Sequence, residues 1–204
     1  MIFLPKKYSR LSDEKLMALI QAGNTKAFEV LYHRYSRRLL VYYFRMLGGD
    51  EAKAQDFLQD TFLKIIEKPG LFDTGKNFSG WIFTLAYNRC KNEYRRLEIR
   101  RAAVVENDFD GSTVHPDQAG GVDIDRQSFR RKLFAALQKL NPSQRNAFLL
   151  RHQENLSVRQ IAEVMDCSEG TVKSRLFYAS RKLAEKLQQF NPDQVEVANH
   201  EKSK

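Results

Sequence analysis

Cysteine, proline and glycine are scarce in this chain, and each scarcity excludes something. Cys90 and Cys167 are the two cysteines among 204 residues, and neither belongs to a Cys-x-x-Cys or Cys/His cluster. A disulfide scaffold and a zinc module are therefore not expected, and a reducing cytoplasm fits. With 10 Gly and 5 Pro, the chain is neither collagen-like nor low-complexity. No apolar run approaches the ~20 residues that a membrane helix needs, and Pro5 interrupts the apolar start Met1 to Leu4. Neither a secretory leader nor direct membrane insertion is expected. His33, His115, His152 and His200 are scattered, and no Gly-rich phosphate loop or nucleophile motif is present. Catalytic residues, a metal site, a cofactor and a small-molecule substrate are accordingly not expected.

What is present is helix-forming and basic. Hydrophobic residues make up 42% and charged residues 29%, enough to fill a core and solvate a surface. The net charge of +9 permits a nucleic-acid partner, although membranes and acidic proteins also attract basic surfaces. Its distribution says more than its total. Residues 1–101 carry 19 Lys+Arg against 11 Asp+Glu, and residues 126–190 carry 13 against 5, so each block is +8. Between them, 102–125 has six acids, three Gly, one Pro and no Lys or Arg, a composition that cannot fill a core. It reads as a flexible acidic linker with an r.m.s. span of roughly 25 to 30 Å. Residues 191–204 read as a disordered tail.

Periodicity and caps give helices throughout. Ser12 with Asp13 and Glu14 opens a short helix closed by Gly23, Thr25 opens the next, and Gly48-Gly49 ends it. Asp50 caps a third helix reaching Lys68, and Pro69-Gly70 stops it. A loop, Leu71 to Phe78, precedes a fourth helix from about Ser79 to Arg101. Four more are expected near 124–140, 142–153, 157–165 and 168–190. No run of period-two alternation stands out. The fold class is all-α, with two small helical domains.

Three faces carry the chemistry. Residues 157–183 (SVRQIAEVMDCSEGTVKSRLFYASRKL) have the pattern of a helix-turn-helix, with Ala162 at the close approach and Ser168 capping the second helix. Val172, Leu176, Ala179 and Leu183 should face its core. Thr171, Ser174, Tyr178 and Arg181, flanked by Lys173, Arg175 and Lys182, then offer hydroxyls and cations to a DNA groove. The bland alternative is a solvated basic helix. Cys167, between apolar neighbours at the turn, reads as a packing residue.

On the fourth helix, Phe83, Ala86, Cys90, Tyr94 and Leu97 share the core side, while Trp81, Asn88, Asn92 and Arg95 fall together opposite. Rings can stack on unpaired bases and amides can read their edges, with Arg95, Arg96, Arg100 and Arg101 following phosphates. Alternatively, Trp81 anchors the core near the loop. The third helix has an inner stripe of Ala54, Leu58, Thr61 and Ile65, and an outer set of Asp56, Gln59, Asp60, Leu63 and Glu67. An acidic face with an exposed leucine suits a protein partner better than DNA.

In order along residues 12–190, these features resemble the extracytoplasmic-function group of bacterial RNA polymerase sigma factors. The resemblance runs through AFEVLYHRYSRRLL (27–40), AQDFLQDTFLKIIEK (54–68), FSGWIFTLAYNRCKNEYRR (78–96) and LNPSQRNAFLLRHQENLSVRQIAEVMDCSEGTVKSRLFYASRKL (140–183). It implies a non-enzymatic initiation factor whose partners are core RNA polymerase, promoter DNA and an anti-sigma factor. Residues 1–101 would bind polymerase and the −10 element, 102–125 would thread through the polymerase, and 126–190 would read the −35 element.

The same resemblance places residues. Asp56, Gln59, Asp60 and Leu63 would dock on the polymerase clamp helices. Asn88 and Asn92, with the loop from Leu71 to Phe78, would capture an unstacked −10 base, Trp81 would support that surface, and Arg95 and Arg96 would follow the strand. Thr171, Lys173, Ser174, Arg175, Tyr178 and Arg181 would meet the −35 element. Three positions depart from the family pattern: Gln160 replaces the usual Glu, Asp166 the common turn Gly, and Asn24 a frequent Asp. A stand-alone DNA-binding repressor would explain the helix-turn-helix but leave the other two faces without a purpose. An enzyme acting on nucleic acid would lack its chemistry.

Overall fold

The computed structural model describes residues 6–103 and 124–190. The described residues form helices and short 3-10 turns, with no strand among them. In chain order the helices are α1 (Lys6–Ser9), α2 (Asp13–Gln21), α3 (Thr25–Met46), α4 (Glu51–Glu67), α5 (Phe78–Ala103), α6 (Ile124–Gln138), α7 (Pro142–His152), α8 (Val158–Met165) and α9 (Glu169–Leu187). All the expected helices are present, α1 in addition, and their ends fall within a few residues of expectation. Most of the acidic linker and the 191–204 tail lie outside the described residues.

Side-chain caps set the helix starts. Ser12, Asn24, Asp50, Asn141, Ser157 and Ser168 each accept a hydrogen bond from the backbone N–H three residues on. The departures from the family pattern are satisfied locally. Asn24 caps α3, and Gln160 Oε1 accepts from Ser157 N at 2.9 Å to complete a capping box. Asp166 itself takes the left-handed conformation, φ 49°, that ends α8.

The N-terminal unit is built on aromatic rings. Tyr35, Tyr42, Tyr43, Phe72, Phe78 and Phe83 are fully buried where α2, α3, α4 and α5 meet. Edge-on pairs fill the space, Tyr35 on Phe78 at 5.2 Å, Phe72 on Phe78 at 5.3 Å and Tyr43 on Phe57 at 5.5 Å. Buried hydroxyls find partners: Tyr35 donates to Asp13 Oδ2 at 2.5 Å, and Tyr43 bonds Thr61 Oγ1 at 2.7 Å.

The loop between α4 and α5 is tied down from both ends. Gln21 Nε2 donates to the carbonyls of Pro69 at 3.0 Å and Phe72 at 2.8 Å. At the other end Phe78 N donates to Glu14 Oε1 at 3.1 Å, placing a carboxylate at the positive end of α5. Burial works to raise the Glu14 pKa, but the hydrogen bond from Phe78 N and further bonds outweigh it and hold the carboxyl below its ordinary value.

The C-terminal unit, α6 to α9, packs smaller side chains: Leu137, Leu140, Leu149, Leu150, Ile161, Val164, Val172, Ala179 and Leu183 are buried. It rests on the C-terminal end of α3 and on α5 through a polar seam. Arg145, 6% exposed, donates to the carbonyls of Leu137 (2.9 Å), Gln138 (3.0 Å) and Leu140 (3.3 Å) within its own unit. Its Nη1 also reaches the Met46 carbonyl at 3.0 Å and Tyr94 Oη at 3.3 Å across the seam. Tyr42 Oη donates to Asn146 Oδ1 at 2.5 Å, Arg38 pairs with buried Glu154 at 2.7 Å, and Arg45 donates to Gln153 Oε1 at 2.8 Å. At its edge Gly49, with φ 92°, meets Phe134, whose ring would lie 3.1 Å from any added Cβ.

Candidate polymerase and nucleic-acid interfaces

The outer face of α4 is as the pattern requires. Ala54, Thr61 and Ile65 are buried and Leu58 half-buried, while Asp56, Gln59, Asp60 and Leu63 are exposed. Sequence reasoning missed how far the apolar part extends. Tyr32 on α3 (42% exposed) and Ile66 (53%) join Leu63 (46%) around a groove of about 460 Å³ that Leu58 and Phe62 also line. The i, i+3 pair Leu63 and Ile66 was the available signal. An apolar groove beside Asp56 and Gln59 suits a partner helix with basic flanks.

The face expected on α5 divides in two. Asn88 and Asn92 are exposed and open on a groove of about 460 Å³ between α4 and α5, with Leu85, Arg89, Arg96, Asp60 and Lys64. Arg95 turns the other way, into a groove shared with the C-terminal unit. Trp81 is half-buried, 5.1 Å from the Phe72 ring and 5.6 Å from Phe78. It braces the loop that precedes α5. Leu71, at that loop's exposed edge, is 52% accessible, while its neighbour Phe72 is pinned in the core.

Ion pairs lace the α4/α5 groove, and sequence reasoning missed them. Asp60 pairs with Arg89, whose guanidinium also lies over the Phe57 ring at 4.3 Å. Glu93, buried on the inner side, takes Arg96 at 2.9 Å and Lys53 at 3.2 Å. Burial alone would raise the Glu93 pKa, but the hydrogen bonds and charges of Arg96 and Lys53 win and hold it below the ordinary carboxylate value. Glu93 therefore fixes Arg96 beside Asn92.

On α9 Val172, Ala179 and Leu183 are buried and Leu176 is half-buried, as the stripe requires. Lys173, Ser174, Tyr178 and Arg181 are exposed, and Thr171 is half-buried beneath the Ser168 cap, 2.9 Å from Ser168 Oγ. Arg181 pairs with Glu185 at 3.3 Å. Arg175 is drawn inward, with Nη1 3.3 Å from Cys167 Sγ, so half-buried Cys167 packs against a guanidinium as well as apolar neighbours. Ser174, Arg175 and Tyr178 face Tyr87, Lys91, Tyr94 and Arg95 of α5 across a groove of about 540 Å³. The two expected DNA-reading helices thus face each other.

Burial pushes the Cys90 thiol up to about 12, so it serves as core and not as a nucleophile. Among the described residues no cluster of His, Cys, Asp and Glu has the makings of a metal site, and no helix is long and apolar enough to cross a membrane.

Two parts of this architecture match known families. The family described as Sigma-70 region 2 matches residues 31–99, and Sigma-70, region 4 matches residues 130–183. Among curated proteins, the chain is 31% identical to the ECF RNA polymerase sigma factor BldN of Streptomyces coelicolor over 85% of its own length and 65% of that protein. It is 29% identical to the ECF RNA polymerase sigma-E factor of Haemophilus influenzae, over 88% of this chain and 97% of that one. The sigma factor RpoE of Bartonella quintana, solved with the anti-sigma factor NepR, superposes with a TM-score of 0.67 at 26% identity, covering 80% of this chain and 98% of that chain. CnrH, solved with the cytosolic domain of CnrY, gives a TM-score of 0.62 at 25% identity, covering 87% and 97%.

The chain belongs to the extracytoplasmic-function group of sigma factors. Its function is promoter-specific initiation of transcription.

Proposed function

We propose that the chain docks on core RNA polymerase through Asp56, Gln59, Asp60 and Leu63, with Tyr32 and Ile66 completing the apolar groove. Asn88 and Asn92 then capture an unstacked base of the −10 strand, Arg96 follows its phosphates, and Trp81 acts through the loop it braces. Thr171, Lys173, Ser174, Arg175, Tyr178 and Arg181 read the −35 duplex. The observation that carries this reading is the adjacency of two unlike surfaces on one rigid core: an acidic, apolar face on α4 beside an amide and guanidinium groove on α5. A duplex reader alone has no use for either. Extruding a base costs a few kcal/mol, which contacts made by a pre-formed groove offset.

Reading the −35 element requires α9 to leave α5, because the 540 Å³ groove between them cannot admit a duplex. The protein works without catalytic chemistry of its own, in the cytoplasm, where polymerase and promoter are. The domain limits follow: 1–101 for polymerase and the −10 element, 102–125 as tether, 126–190 for the −35 element, and 191–204 as tail. RpoE was solved with the anti-sigma factor NepR and CnrH with the cytosolic domain of CnrY, and the first of these supports an anti-sigma partner here as well.

The test is to mix the chain with core polymerase and a promoter and map permanganate-reactive thymines. Open complexes are expected with the wild type. Asn88→Ala should weaken opening while sparing polymerase binding, and Asp60→Arg should lose the polymerase. Duplex binding without polymerase association or an open complex would leave only the repressor reading standing.

A further inference from the structure

Asp60 lies on the border of two surfaces, and its carboxylate is already in use. It faces outward with Asp56 and Gln59 on α4, and it also lines the α4/α5 groove, where it pairs with Arg89. Arg89 sits between Asn88 and Asn92 in sequence and shares their groove. Its guanidinium lies over Phe57 at 4.3 Å, and its Nε is buried without a hydrogen-bond partner among the described residues. Asp60 is thus its one ionic partner among the described residues, and part of its donor capacity is unspent.

The charges around the groove give Asp60 a second role. The cations lining it are Lys64, Arg89 and Arg96, and the acids are Asp60 and Glu93. Glu93 is already matched by Lys53 and Arg96. Once Asp60 is engaged elsewhere, Lys64 and Arg89 are left facing the two asparagines with no acid of their own. The groove then suits a phosphate chain whose bases meet the amides. Asp60 and Arg89 are both well exposed, with 45% and 39% of their side chains accessible, so exchange of partners is cheap.

We propose that Arg89 couples polymerase docking to strand capture. In the free chain Asp60 holds Arg89; when the polymerase takes Asp60, Arg89 turns to a phosphate of the strand bound at Asn88 and Asn92. This rests on the polymerase and −10 assignments made above. An exposed pair limits the coupling to roughly five-fold in affinity.

The experiment uses the full chain without polymerase and a labelled single-stranded DNA of mixed sequence, about 15 nucleotides long, read by fluorescence anisotropy. Asp60→Asn should raise its affinity roughly two- to five-fold. Glu67→Gln removes the same charge from the same helix at an exposed position without an ion pair among the described residues, and should raise it less. Adding Arg89→Ala to Asp60→Asn should abolish the gain, and adding Arg89→Lys should keep part of it. In holoenzyme, Arg89→Ala should weaken strand binding without weakening core polymerase binding. Equal gains from Asp60→Asn and Glu67→Gln, or a gain that survives Arg89→Ala, would overturn the coupling alone. A wild-type holoenzyme that fails to hold the strand would overturn the coupling together with the −10 reading beneath it.

Discussion

The interior shared by α3, α4 and α5 and the seam beneath the C-terminal unit are built on different principles. The first is aromatic and mostly apolar, with Tyr43 and Thr61 closing a hydrogen bond inside it. The second is held by Arg145, Asn146, Glu154 and their partners, and Asn146 Nδ2 is buried there without a hydrogen-bond partner among the described residues. Burying ring surface has no competitor in water, whereas each polar bond in the seam replaces one that water would make equally well. Aromatic interiors therefore mark a unit that stays whole, and polar, incompletely satisfied seams mark units that part. That division suits the proposed roles, with the proposed polymerase-docking face on the permanent core and the proposed −35 reader held against α5 while the separable seam is closed.

Truncating the apolar interior should have the largest effect. Phe83 is fully buried, with the Tyr42 ring 5.5 Å away, and Phe83→Ala should cost about 3 to 5 kcal/mol. Denaturant unfolding should show it as a fall in midpoint, with polymerase docking and strand capture lost together. If the midpoint fell by less than 1 kcal/mol's worth, on the order of a surface change, α5 would not be part of the same cooperative core.

The seam should respond differently. Glu154 is buried against Arg38 at 2.7 Å, and Glu154→Ala should weaken docking of the two units by about 1 to 2 kcal/mol. The expected reading is a larger radius in small-angle scattering with the N-terminal unit still folded. Promoter duplex binding should also gain, since α9 is released from α5. An unchanged radius with a loss of stability matching Phe83→Ala would place the seam inside the core and erase the distinction.

Much of this was legible in the sequence because caps and periodicity are local. Ser12, Asp50 and Ser168 marked helix starts, and the Val172 to Leu183 stripe marked a buried side. The outward position of Asp56, Gln59, Asp60 and Leu63 followed from the same periodicity. What sequence periodicity could not supply was partner choice between elements distant in the chain. A helical wheel puts Asn92 and Arg95 together, yet α4 approaches on one side and α9 on the other, so they line different grooves. For Trp81 the wheel left an outer place and an anchor near the loop both open, and only the position of Phe72, with its ring 5.1 Å away, decides for the anchor. The burial of Arg145 had no local signal, because its carbonyl partners at Met46 and Leu137 are contributed by separate units.

The smallest effect concerns the one buried acid on the inner wall of the α4/α5 groove. Glu93 holds its proton less tightly in the folded chain than in the unfolded one, since Lys53 and Arg96 favour its charged form. It therefore contributes stability above the unfolded glutamate pKa of about 4.3, and that contribution fades as the pH falls through the lower folded value. Glu93→Gln should leave less acid-dependent loss of stability below about pH 5 than the wild type shows, measured by denaturant midpoints at stepped pH. Because the carboxylate also fixes Arg96 beside Asn92, the same variant should loosen strand binding slightly at neutral pH, where Glu93 is charged and holds Arg96. An acid profile identical to the wild type would mean that Lys53 and Arg96 serve the groove's outer edge and leave the α4/α5 packing to Phe57 and its neighbours.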